Sequence, residues 1–214
     1  VPEGIWRSLV KEVQATDAQN KTAGTILSNV TEIGPDNIGG RTRALIQDLL
    51  DPNRWLAGGI SGGIWVSTDN GGSWNPVDDA APQLTVTSLA QDPNLPLNVY
   101  YSTGEPRGNS AGVLGAGIWK STDGGQNFAM LPATDNNNFN ENWKVAVDPT
   151  TADRVFVATH DDGLFLSEDG GANFSPVLIV GSPTDVTDVE ILPDGGVLVG
   201  IRANGVYYSP TGDA

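Results

Sequence analysis

A five-residue word that returns every few tens of residues constrains this chain more than any other feature. Gly63-Ile64-Trp65-Val66-Ser67, Gly117-Ile118-Trp119-Lys120-Ser121, Gly163-Leu164-Phe165-Leu166-Ser167 and Gly205-Val206-Tyr207-Tyr208-Ser209 all read glycine, aliphatic, aromatic, any residue, serine. Gly4-Ile5-Trp6-Arg7-Ser8 is a fifth copy. Successive serines stand 59, 54, 46 and 42 residues apart. That interval is close to the roughly 40 to 50 residues of a propeller blade, a unit that cannot bury its own apolar face and must stack on neighbours.

Each of the last four copies follows a second element that ends in a turn, at residues 44–52, 89–93, 145–149 and 189–194. Three of these turns contain Asp-Pro and the fourth contains Pro193-Asp194, pairs that start turns. Short apolar runs come next: Trp55-Leu56-Ala57, Val99-Tyr100-Tyr101, Val155-Phe156-Val157-Ala158 and Val197-Leu198-Val199. A unit is therefore strand, Asp-Pro turn, strand, glycine turn, aromatic strand, acidic turn, strand. Four short antiparallel strands per unit give an all-β chain of β-propeller blades. With 27 glycines and 14 prolines in 214 residues, little of the chain is left for helix. The longest apolar run, Val177-Leu178-Ile179-Val180, has the length of a strand, whereas crossing a bilayer takes about 18 residues, so no membrane insertion is expected.

Three of the words continue into one pattern, Ser-x-Asp-x-Gly-x-x-aromatic: Ser67, Asp69, Gly71 and Trp74; Ser121, Asp123, Gly125 and Phe128; Ser167, Asp169, Gly171 and Phe174. Serine and aspartate side chains can bond the amides of a tight turn, glycine supplies its special backbone, and the aromatic can pack back on the blade. The expected role is structural. This pattern resembles the Asp-box, or bacterial neuraminidase repeat, of sialidases, sortilin-type receptors and xyloglucan-degrading propeller hydrolases. Gly34-Pro35-Asp36-Asn37-Ile38-Gly39-Gly40-Arg41-Thr42-Arg43-Ala44-Leu45 is similar to the opening of the first blade in secreted bacterial propellers of this kind. Ser102-Thr103-Gly104-Glu105, a long loop and Gly115-Ala116-Gly117-Ile118-Trp119 are similar to the second blade. The resemblance implies a secreted or cell-surface protein.

Blades are expected at about 41–79, 85–132 and 143–180, with an incomplete one at 185–214, where Thr211 stands in place of the box aspartate. The fold class is thus a partial propeller of about four blades. Residues 1–33 form an N-terminal segment in which Ile26–Ile33 alternates as a strand does, and it is expected to supply a strand to a neighbouring blade. The remaining blades, or another copy of the chain, are expected to cover the open flank.

Charge and chemistry remove several functions. The net charge is −15, and four lysines among 11 basic residues cannot form the cluster that phosphate binding requires, so nucleic acid is not an expected partner. With no cysteine and a single histidine, there is no thiolate nucleophile and no histidine metal set. No cofactor is expected; calcium stays open because the boxes look like calcium loops, although the later carboxylates of such loops are missing. Candidate binding residues are Arg41 and Arg43 near the start of an inner strand, Glu105 and Arg107 in the loop to Gly115, Trp143, His160 beside Asp161, and Arg202. Glycoside hydrolysis needs two carboxylates, or in sialidases a tyrosine with an acid. The sialidase resemblance would bring a Phe/Tyr-Arg-Ile-Pro motif, which is absent. In the xyloglucan-degrading relatives a catalytic aspartate precedes the paired glycine of the first blade, whereas Gly59-Ile60-Ser61-Gly62-Gly63 carries no carboxylate. The expectation is a non-catalytic module binding protein or carbohydrate. One alternative is a segment of a sialidase-like or xyloglucanase-like hydrolase whose catalytic residues lie outside this chain. A second is a structural element of a surface assembly.

Overall fold

In the computed structural model residues 41–78, 81–106 and 112–212 are described, and all belong to one compact unit spanning residues 33–214. The N-terminal strand at Ile26–Ile33, the Gly4–Ser8 word, the stretch 34–40 and Arg107 lie outside the described residues.

Among the described residues fifteen strands make four antiparallel meanders, each in chain order. The first holds β1 (Thr42–Gln47), β2 (Trp55–Gly59), β3 (Gly63–Ser67) and β4 (Asn75–Pro76). The second holds β5 (Val86–Gln91), β6 (Val99–Thr103), β7 (Ile118–Ser121) and β8 (Ala129–Met130). In the third are β9 (Asn142–Val147), β10 (Val155–Thr159), β11 (Leu164–Ser167) and β12 (Ser175–Leu178), and in the fourth β13 (Val186–Ile191), β14 (Val197–Ile201) and β15 (Gly205–Ser209). These are four consecutive blades of a β-propeller.

Among the described residues three of the four core clusters lie between blades, and the fourth, Ala57, Trp65 and Trp74, belongs to the first blade alone. Alternation along β10 sends Val155 and Val157 into a cluster with Tyr100, Ile118 and Val145 of the second and third blades. The same strand sends Phe156 and Ala158 into a cluster with Val186, Val189 and Val199 of the fourth. Strand β6 does likewise, with Val99 and Tyr101 facing Leu56 and Ile64 of the first blade while Tyr100 faces the third. Each such Val or Phe contributes about 1.5–3 kcal/mol when fully buried, so a strand apolar on both faces is stable only when sandwiched.

Each box is closed by its own polar atoms. The Ser67 hydroxyl donates to Asp69 Oδ1 at 2.8 Å and accepts from the Gly71 amide at 2.8 Å. Asp69 also accepts from the Ser73 amide at 2.8 Å and the Ser73 hydroxyl at 2.7 Å. Ser121, Asp123 and Asn127 repeat this arrangement, as do Ser167, Asp169 and Asn173. The box glycines Gly71, Gly125 and Gly171 have φ of 87°, 81° and 96°, the left-handed region that a side chain resists. Trp74 is buried with Trp65 and Ala57, Phe128 meets the Tyr101 ring edge-on at 4.9 Å, and Phe174 lies 5.4 Å from Phe139. Hydrogen bonds from Ser73 and Ser67 hold the Asp69 carboxyl at about 2, and those from Asn173 and Ser167 hold Asp169 at about 2. At Asp123 slight burial acts upward but is outweighed by bonds from Ser121, Asn127 and Gln126, and its carboxyl is lowered too.

Boxes and strand-to-strand turns share one rim. The amides of Asn70, Gly124 and Gly170 donate to the carbonyls of Asn53, Leu97 and Asp153 at 2.8, 2.9 and 2.8 Å. In the first and third blades the turn begins with a buried aspartate paired to an arginine six residues on, Asp48 with Arg54 and Asp148 with Arg154. The second blade has the same turn, with the Asp92 amide donating to the Asn98 carbonyl at 2.9 Å, but Asn98 stands where the arginine should be. Asp92 Oδ2 is buried and has no hydrogen-bond partner.

Two outcomes follow from these turns. Asn98→Arg should supply the missing partner and raise stability by about 1–2 kcal/mol, read as a higher urea midpoint at unchanged slope; an unchanged or lower midpoint would contradict the pairing. The box carboxyls are lower in the folded chain than their ordinary 3.8, so the stability they add is complete above about pH 4 and is lost as pH falls toward 2. Thermal melts across that window should show this loss, and an Asp69→Asn/Asp169→Asn variant should show less of it.

Candidate functional site

The opposite rim, where inner strands begin and second strands end, carries the remaining polar candidates. Three blades repeat one contact there: Ile60, His160 and Arg202, each just after a second strand, donate their amides to the carbonyls of Arg41, Glu141 and Asp185 at 3.0, 3.0 and 2.9 Å. The frame is the same in each blade and the side chains on it differ.

Those side chains bond across blades. Arg41 of the first blade reaches Glu105 of the second, its Nη2 lying 2.6 and 2.7 Å from the two carboxylate oxygens. Glu105 is 1% exposed and Arg41 57%, so the pair leaves a guanidinium face open to solvent above a buried carboxylate. In the next pair of blades the Trp143 indole donates through Nε1 to Asp185 Oδ1 at 2.6 Å, and Arg202 Nη1 donates to Asp185 Oδ2 at 3.3 Å. His160 sits beside this bond, its ring tilted 57° to Trp143 at 6.4 Å. Its Nδ1 lies 3.5 Å from Asp161 Oδ2 and 3.6 Å from Glu141 Oε2, and its Nε2 lies 3.8 Å from Asp185 Oδ2. Trp143, His160 and Arg202 are thus one cluster around Asp185. Arg41 and Glu105 form a separate pair on the same rim.

A bulge in every inner strand turns a further residue inward. Pairing skips Arg43 in β1, Thr87 in β5, Trp143 in β9 and Thr187 in β13. All four line one groove of about 320 Å³, together with Ser88, Lys144 and Asp188. Bulges re-aim side chains and are common beside binding sites. Lys144 Nζ lies 2.9 Å from Asp188 and also contacts Glu190; burial acts to lower its pKa, but these two carboxylates outweigh it and hold the ammonium above its usual range. The groove is therefore lined by an indole, the Arg43 guanidinium, a fixed ion pair and three hydroxyls that are bonded within the protein, Thr87 to Ser102, Ser88 to the Val145 backbone and Thr187 to the Gly200 carbonyl. Thr87, Thr187 and Asp185 carried no signal in the sequence, since nothing local marks which residue of a strand a bulge displaces.

Among the described residues no cluster of three or more His, Cys, Asp or Glu side chains could hold a metal ion, and both oxygens of Asp69, the first box carboxylate, already accept N–H or O–H donors. A second cavity of about 360 Å³ opens between the first two blades against Trp119, Tyr101 and Phe128. Two of its amides, Asn127 and Gln126, are bonded into the adjoining box.

No family model matches the chain. It is 26% identical over 186 residues to an oligoxyloglucan-reducing end-specific xyloglucanase of Emericella nidulans, a match covering 81% of this chain and 22% of that protein. The chain thus spans about a fifth of the length of the curated relative it matches. Among solved structures it is similar to the GH74 enzyme of Niastella koreensis, with a TM-score of 0.63 and 22% identity, over 82% of this chain and 29% of that one. An ancestral GH74 enzyme gives a TM-score of 0.64 and 19% identity, over 77% of this chain and 22% of that one.

Backbones also approach closely on this rim. A Cβ on Gly104, whose φ is +89°, would lie 2.2 Å from the Asn140 carbonyl oxygen. Gly104→Ala should cost about 1–3 kcal/mol in a denaturant titration; a loss below a few tenths would mean that the backbones of the second and third blades yield there.

Proposed function

We propose that this chain is the polysaccharide-binding segment of a carbohydrate-active β-propeller of the Asp-box kind, secreted or displayed at the cell surface. The groove along the inner strands holds a β-glucan chain, and hydrolysis is carried out by residues outside these four blades. One observation carries this reading: Trp143 is displaced by its bulge into a groove that is also lined by Ser88, Thr187, Arg43 and the Lys144–Asp188 ion pair, while Asp185 fixes the indole by its Nε1. A pyranose ring has an apolar C–H face and an equatorial belt of hydroxyls. An anchored indole beside hydroxyl and charged groups fits both. The likeness to a xyloglucanase over most of the chain supports the same substrate class. Catalysis is assigned elsewhere because Glu105 and Asp185 are already held by Arg41, Trp143 and Arg202, and the glycine turn at residues 59–63 carries no carboxylate. Further blades or another copy of the chain complete the assembly.

Titration calorimetry with xyloglucan oligosaccharides and unsubstituted β-1,4-glucan oligomers tests the proposal. Trp143→Ala should weaken binding about tenfold, equivalent to about 1.4 kcal/mol, and Trp143→Phe should recover most of it by restoring a stacking face. No reducing ends should appear on prolonged incubation. Equal affinity for Trp143→Ala and the parent would remove the groove from the proposal, and turnover by the purified chain would place the chemistry inside it.

A further inference from the structure

On the rim of the boxes, at the opposite end of β1 and β5 from Arg43 and Thr87, the first two blades expose four leucines. Leu49 and Leu50 lie in the β1–β2 turn, Leu95 and Leu97 in the β5–β6 turn, and each is between 41% and 63% exposed. The two turns are joined by one side chain. Gln91 accepts from the Leu49 amide at 2.9 Å and donates to the Pro96 carbonyl at 2.7 Å and to Asp48 Oδ1 at 3.1 Å. The Gly124 amide of the adjoining box fixes Leu97 through its carbonyl. These leucines are therefore held in place at the surface by the hydrogen bonds of their turns. The matching turn of the third blade carries Thr150 and Thr151, and that of the fourth carries Asp194 and Gly195. The apolar patch is a property of two blades and not of the repeat.

Among the described residues the exposed charge around it is acidic. Asp51 and Asp69 are exposed beside the patch, and Glu168, Asp169 and Asp194 are exposed further along the same rim. The cations of that rim are engaged: Arg54 by Asp48, Arg154 by Asp148, and Lys120 through Nζ by the Gly170 carbonyl at 2.9 Å. A second copy docking by the same face would bring two acidic rims together, and an anionic lipid surface would be repelled in the same way. Apolar area flanked by the exposed, negatively charged Asp51 and Asp69, neither of them paired with a cation among the described residues, fits a partner with the opposite arrangement.

We propose that the leucine patch of the first two blades is a docking surface for a basic amphipathic polypeptide segment, apolar side chains seated on Leu49, Leu50, Leu95 and Leu97 and flanking lysines or arginines facing Asp51 and Asp69. It lies on the rim opposite the sugar groove, so the two can be occupied together, and it stands whether or not the groove binds sugar.

The probe is a synthetic amphipathic leucine–lysine peptide, with a leucine–glutamate peptide of the same pattern as control, titrated into the full chain at physiological salt. The leucine–lysine peptide should bind, the leucine–glutamate peptide should not, and added salt should weaken binding. A Leu49→Ser/Leu97→Ser variant should lose about tenfold in affinity for the probe while melting with the parent, whereas Val206→Ser, at an exposed residue of the fourth blade, should lose nothing. Equal binding by the double variant would reduce the attraction to bare charge and overturn the proposal, as would equal binding of the leucine–glutamate peptide. A dimer in light scattering that the double variant dissolves would overturn it in favour of a second copy.

Discussion

Burial of one blade's apolar face against the next is the interaction on which the rest depends. Strands β6 and β10 have no exposed residue, because their odd and even side chains enter different inter-blade clusters. A sheet apolar on both faces is not stable alone in water, so each blade is ordered by its neighbours. Polar groups join this stacking where they can be satisfied. Tyr100 is fully buried and its hydroxyl donates to the Gly170 carbonyl of the next blade's box at 3.2 Å. Burial foremost, with the charges of Asp92 and Asp153 behind it, pushes that phenol above its usual range and keeps it a donor at any physiological pH.

The two rims serve different ends by different chemistry. At the boxes every aspartate is bonded within its own loop. At the opposite rim the decisive bonds run between blades, Arg41 to Glu105 and Trp143 to Asp185. The bulges have the same logic: one displaced residue per inner strand, with arginine, threonine, tryptophan and threonine in turn, so that a constant frame presents variable chemistry to a single groove. Residues displaced in this way can change without disturbing the cores.

How much of this could be read in advance depends on how local the cause is. The box is legible because its donors and acceptors lie within four residues of one another, and its left-handed backbone demands glycine. Strand and turn order is legible because alternation and Asp-Pro are local too. His160 shows the limit. Its neighbour Asp161 is in the sequence beside it, yet Glu141 and Asp185 stand as near to the ring and come from the starts of two inner strands. Arg41 and Arg202 are candidate binding residues by sequence, but their carboxylate partners, Glu105 and Asp185, are 64 and 17 residues away.

By itself the sequence determined the repeating unit: an all-β chain, four strands to a blade, a serine–aspartate–glycine turn closing three of them, and an acidic surface partly owed to those turns. These follow from interactions between residues close in the chain, whose geometry the local backbone sets. Tertiary structure alone decided which residues meet. Bulges that move Thr87 and Thr187 into the groove, the gathering of Trp143, His160 and Arg202 on Asp185, the unpaired Asp92 and the leucine patch joined by Gln91 all arise from stacking one blade on another. Such contacts are set by the register and twist of packed sheets, and no spacing along the chain encodes them.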